Sequence, residues 1–105
     1  MSGIFTRGSG NVFEDLGFDN PEKHQAKAEL ALHIIKIIEE RALTQKQAAT
    51  LIGATQIDIS KLKSGQLKGF TLDRLFSFLL RMNRNIQIRV TKATDKAGKL
   101  ETVAA

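Results

Sequence analysis

The sequence predicts a small all-α domain closed by one C-terminal strand. Three observations predict it. Apolar residues recur at helical spacing in four successive segments between residues 20 and 82. Each of those segments begins at a residue suited to cap a helix: Asn20, Thr44, Thr55 and Thr71. Residues 86–90 read Ile-Gln-Ile-Arg-Val and alternate apolar and polar, the period of a half-buried strand. At 105 residues the chain is one domain, large enough for a modest core.

The elements follow in order. Residues 1–10 are rich in Gly and Ser, and the whole segment 1–19 is expected to be mobile. Within it Val12, Phe13, Leu16 and Phe18 stand among acids. That run is too short to be an independent unit, and it is open whether it docks on the domain or on a partner. The first helix begins at Asn20, with Pro21 at the first helical position, where its missing N–H costs nothing. Leu30, Ile34, Ile37 and Ile38 fall on one side of it; Glu29, His33, Lys36 and Glu40 fall on another. It should end near Arg41.

Residues 44–65 read TQKQAATLIGATQIDISKLKSG and predict two short helices joined by a tight turn. Thr44 caps the first, with Gln47 as its capping-box partner, and Ala48, Ala49 and Ile52 form its inner face. Gly53 sits where the chain must bend through positive φ. Thr55 caps the second helix. Ile59 and Leu62 turn inward; Gln56, Ile57, Asp58, Ser60 and Lys61 face out; Gly65 stops the helix. Small residues at the crossing, Gly in the turn and a polar, basic outer face are what a helix-turn-helix needs to read DNA.

Residues 66–69 form a loop, and Thr71 caps a fourth helix. Phe70 and Leu75 are spaced as a hydrophobic staple across that cap. Leu72, Leu75, Phe76, Leu79 and Met82 make the apolar stripe, and residues 83–85 break the helix. The strand at 86–90 would stand alone, with unpaired backbone groups. Pairing with its copy in a second subunit about a two-fold axis resolves this, and makes Ile86, Ile88 and Val90 dimerisation residues. Residues 93–105 read as a disordered tail, so the domain spans 20–92.

Charge sharpens the reading. The net charge is +5, but residues 1–43 balance to −2 and residues 44–92 to +7. Across 44–92 the acids are Asp58 and Asp73. A basic balance confined to the helix-turn-helix and its sequel is the footprint of a polyanion-binding surface. Without Cys there are no disulfides and no thiolate metal sites. No apolar run reaches the length of a membrane span and no signal peptide is apparent, so the cytoplasm is the expected compartment. His24 and His33 lack a metal-ligand spacing, and no Gly-rich phosphate loop follows a strand. The expectation is a non-enzymatic protein with no cofactor and no metal.

The segment 44–65 resembles the Cro-like (XRE) helix-turn-helix family. The matching residues are Thr44 and Gln45, Ala49, Gly53, Thr55 and Gln56, Ile59, Leu62 and Gly65. Within that family, residues 11–18 (NVFEDLGF), 20–31 (NPEKHQAKAELA) and 69–79 (GFTLDRLFSFL) look like the HigA-type antitoxins. The resemblance covers roughly residues 11–92. It implies a lambda-repressor-like domain of four to five helices with the C-terminal strand pairing across a homodimer. It implies that Gln45 anchors to backbone phosphate and that Gln56 reads a base edge. The chemistry suits both. The first N–H groups of a helix favour phosphate, and a Gln amide can pair with adenine N6 and N7. Thr55, Ser60, Lys61, Lys63 and Lys68 join them as DNA candidates, Lys61 and Lys63 through phosphate or guanine and Lys68 through phosphate. Two residues depart from the pattern. Asp58, where the family has an uncharged residue, either complements the helix N-terminus or accepts from cytosine N4. Ile57 either touches a thymine methyl or packs locally. The expected function is sequence-specific repression through operator DNA. The resemblance adds a toxin–antitoxin pairing with a RelE-like toxin as partner. A stand-alone regulator and a protein-interaction module are the alternatives.

Overall fold

The computed structural model describes residues 21–94 and 98–103. The expectations for residues 1–19, and for Asn20 as a cap, lie outside the described residues. Four helices follow in order: α1 (Pro21–Glu40), α2 (Gln45–Ile52), α3 (Gln56–Ser64) and α4 (Leu72–Arg81). Helix α1 packs on both α3 and α4, and α2 packs on α3 and α4.

The local signals act where the sequence places them. Thr44 accepts from the N–H of Gln47 at 3.0 Å while its own N–H donates to the Gln47 side chain at 2.9 Å. Gly53 ends α2 in the left-handed region at φ 73°. Gly65 ends α3 likewise at φ 79°. Thr71 caps α4, its hydroxyl accepting from the N–H of Arg74 at 3.1 Å. Each such cap contributes about 1 kcal/mol and fixes where its helix begins. Helix α1 ends at Glu40, and the chain then turns through Ala42 at φ 53°, a left-handed residue that no sequence signal announced.

The core lies between the helices. Ile34, Ile37 and Ile38 of α1, Ala48, Ala49 and Ile52 of α2, and Ile59 and Leu62 of α3 are all buried. Phe70 and Leu75 are both buried at the start of α4, as a staple requires. Of the two phenylalanines on α4, Phe78 is buried and Phe76 half-buried. Arg41 donates to the carbonyl of Met82 at 2.8 Å, which ties the end of α1 to the end of α4.

The expected strand does not form. Among the described residues there is no strand, and residues 86–90 are extended without a ladder. The reason is physical: an alternating pattern states which side chains prefer burial, but a strand exists only when a second strand supplies its hydrogen bonds. Among the described residues nothing does. Ile86 is drawn onto the core of its own domain, whereas Ile88 and Val90 stay exposed at 57% and 82%. Residues 98–103 have no regular structure but lie along α1. There Glu29 accepts from the backbone and the hydroxyl of Thr102, and these bonds hold its carboxyl below the usual glutamate range. Among the described residues no helix is long and apolar enough to cross a membrane.

Candidate nucleic-acid interface

The interface is built on α2 and α3, which pack against each other across the Gly53 turn. Gln45 and Gln56 each occupy the first position of a helix, where the backbone N–H groups have no partner inside the helix. Gln45 is half-buried and Gln56 exposed. Both can therefore offer an amide side chain beside helix-terminal N–H groups.

Helix α3 divides cleanly. Ile59 and Leu62 are buried at 0% and 3% exposure and hold it to the domain. Gln56, Ile57, Ser60, Lys61 and Lys63 are exposed, and Lys68 is exposed in the loop beyond. Ile57 is 68% exposed, so local packing does not account for it. Lys61 and Lys63 lie in the last turn, where a cation also suits the negative end of the helix dipole. Thr55 is exposed, but its hydroxyl already serves the cap.

Asp58 is held apart from this face. Its backbone N–H donates to the Thr55 hydroxyl at 3.1 Å, and its carboxylate accepts from the Thr55 N–H at 3.1 Å, a reciprocal capping box. The same carboxylate oxygen meets the Arg74 guanidinium of α4 at 3.0 Å, and the Asp58 side chain is only 17% exposed. The bond from the Thr55 backbone, and after it the Thr55 hydroxyl and Arg74, hold the Asp58 carboxyl below the usual aspartate range. Of the two roles left open by the sequence, the geometry fits the cap. Arg74 itself escaped the sequence reading. A cation at the third position of a helix opposes the helix dipole, but that local conflict does not name the partner.

The depressed Asp58 pKa makes a prediction. The ionised carboxylate is favoured in the folded state. Its contribution is therefore complete above the ordinary aspartate pKa and is lost as pH falls through the lower folded value. In urea titrations stepped downward from about pH 4, Asp58→Asn should lose less stability per pH unit than the wild type. Equal slopes would mean that the carboxylate is not selectively held.

Among the described residues no group of three or more His, Cys, Asp or Glu is placed to hold a metal ion.

Comparison with known proteins agrees with the fold. The family model described as a helix-turn-helix domain matches residues 12–91. A solved structure named "Putative XRE Family Transcriptional Regulator" superposes with a TM-score of 0.75 at 30% identity, covering 80% of this chain and 97% of that one. No match is found among curated proteins.

Proposed function

The chain belongs to the helix-turn-helix domain family, in its XRE-like form, and from that premise we propose that it is a sequence-specific regulator that binds double-stranded DNA. The observation that carries this reading is the division of α3. Its buried residues and caps account for folding, and its outward row of Gln56, Ile57, Ser60, Lys61 and Lys63 is left free for a partner. That row lies in the part of the chain with the +7 balance, so the partner suited to it is a polyanion. Gln56 suits an adenine edge and the exposed Ile57 suits a neighbouring thymine methyl. Gln45 and the lysines, Lys68 included, suit the phosphates that set the register.

The working form is a homodimer acting as a cytoplasmic repressor. Support comes from residues 86–90, where Ile88 and Val90 are exposed along an extended backbone that has no strand partner among the described residues. A randomised duplex pool selected with the protein should converge on a palindrome whose half-sites lie about 34 Å apart, one helical turn. Ile88→Pro removes a ladder donor at the centre of the proposed pair. It should shift the protein to monomer in sedimentation and weaken operator binding in parallel. A wild-type protein that sediments as a monomer while still selecting a palindrome would remove the strand from the account.

The finer reading is the antitoxin of a toxin–antitoxin pair. It is supported by the resemblance of residues 11–18, 20–31 and 69–79 to HigA-type antitoxins. A RelE-like toxin would be the protein partner. Co-purification of this chain with the product of an adjacent small reading frame tests it. Absence of any such frame favours the stand-alone regulator.

A further inference from the structure

Helix α3 carries an acid, Asp58, at the end of the helix offered to DNA, within a stretch of chain otherwise rich in Lys and Arg. A free carboxylate there would repel a phosphate-lined groove. Across the domain, on α4, Arg74 sits at the third helical position, where the helix dipole disfavours a cation. Asp58 suits its own helix but not a phosphate partner, Arg74 is out of place on its helix, and the two meet at 3.0 Å. Such a conflict with local preference marks a position set by something other than the helix itself.

The seat of Arg74 is also built. Its guanidinium lies 5.0 Å from the centroid of Phe70 and 5.3 Å from that of Phe78. The two rings meet edge to face, with centroids 6.1 Å apart and planes at 75°. Both phenylalanines are buried at 1% and 3% exposure, so the platform is part of the core. A guanidinium stacked on fixed rings is pre-organised and loses little freedom on pairing. Arg74 thus reaches from a rigid base and draws the Asp58 carboxylate back toward the body of the domain.

We propose that Arg74 is a positioning residue for DNA reading: seated on Phe70 and Phe78, it holds the Asp58 carboxylate against the Thr55 cap and cancels its charge at the end of the recognition helix. The inference rests on the DNA-binding reading of α3 and adds a residue that does not itself touch DNA. Arg74 acts through Asp58. With Arg74 gone, an uncompensated anion faces the duplex. With both charges gone, the obstacle disappears, and an Asn at position 58 still offers a side-chain oxygen to the cap.

The test uses the full chain and a duplex selected by the wild-type protein from a randomised pool. Affinity and circular dichroism are measured for Arg74→Met, Asp58→Asn and the double variant at a temperature where each is folded. Arg74→Met, which keeps an apolar stem over the rings, should weaken binding about tenfold. The double variant should recover most of that loss. Asp58→Asn alone should bind no more weakly than wild type, and this arm stands even if Arg74→Met does not fold. A merely structural Arg74 predicts no recovery in the double variant, and that result overturns the proposal. So does a tenfold loss in Asp58→Asn alone, which would make the carboxylate a direct base contact. If the wild-type protein selects no duplex, the DNA reading of α3 fails first and the inference falls with it. If wild type binds and Arg74→Met binds equally well, the inference alone fails.

Discussion

Replacing Gln56 and Lys61 together by alanine should leave the domain folded and cut its affinity for a selected duplex by about a hundredfold. The Gln56 amide, if it pairs in bidentate fashion with adenine, is worth about 1–3 kcal/mol of discrimination. Lys61 adds one neutralised phosphate, and its loss should lower the salt slope by about one. At 1.4 kcal/mol per tenfold, the pair reaches the stated loss without invoking any further contact. Both side chains are exposed on α3 and neither caps a helix or fills the core. Their removal should therefore change stability by no more than about 0.5 kcal/mol. Affinity measured across salt concentrations separates the two contributions. An unchanged affinity for every duplex tested would exclude this face as the reader.

The second large effect concerns the fold. Phe70→Ala should destabilise the domain by about 3–5 kcal/mol, the usual cost of deleting a buried ring. Phe70 is 1% exposed and precedes the Thr71 cap of α4. It also meets Phe78 edge to face and underlies Arg74. Its removal thus opens a cavity and unseats the guanidinium that pairs with Asp58. Since domains of this kind have a total stability of about 5–15 kcal/mol, the urea midpoint should fall steeply. Phe76→Ala, at a half-buried position, should cost visibly less. If the two variants unfold at the same denaturant concentration, the core does not centre on Phe70.

What could be read in advance is what is local. The caps at Thr44, Thr55 and Thr71, and the left-handed glycines 53 and 65, depend on bonds spanning three or four residues, and each was legible. The inward faces of α1, α2 and α3 followed from helical periodicity, and they are buried as expected. On α4 periodicity was less discriminating. Phe76 and Phe78 are two positions apart, and which of them faces the core depends on how α4 rolls against α1 and α2. The Asp58–Arg74 pair joins residues 16 apart, and no local pattern states that two charges will meet. The alternation at 86–90 was legible as a pattern but not as a strand, because pairing depends on a partner strand, and the described residues contain none. Ala42 at φ 53° was invisible for a simpler reason: alanine carries no preference for that region, and the turn between α1 and α2 imposes it.

The separation of tasks along α3 also bears on how such a protein changes over generations. Thr55, Asp58, Ile59, Leu62 and Gly65 keep the helix in place, while Gln56, Ile57, Ser60, Lys61 and Lys63 make no structural hydrogen bond through their side chains among those described. A mutation in the second set can alter what is read at little thermodynamic risk. A mutation in the first set puts the whole domain at risk. A lineage can therefore drift from one binding sequence to another through folded intermediates, because the letters that spell recognition are not the letters that hold the page.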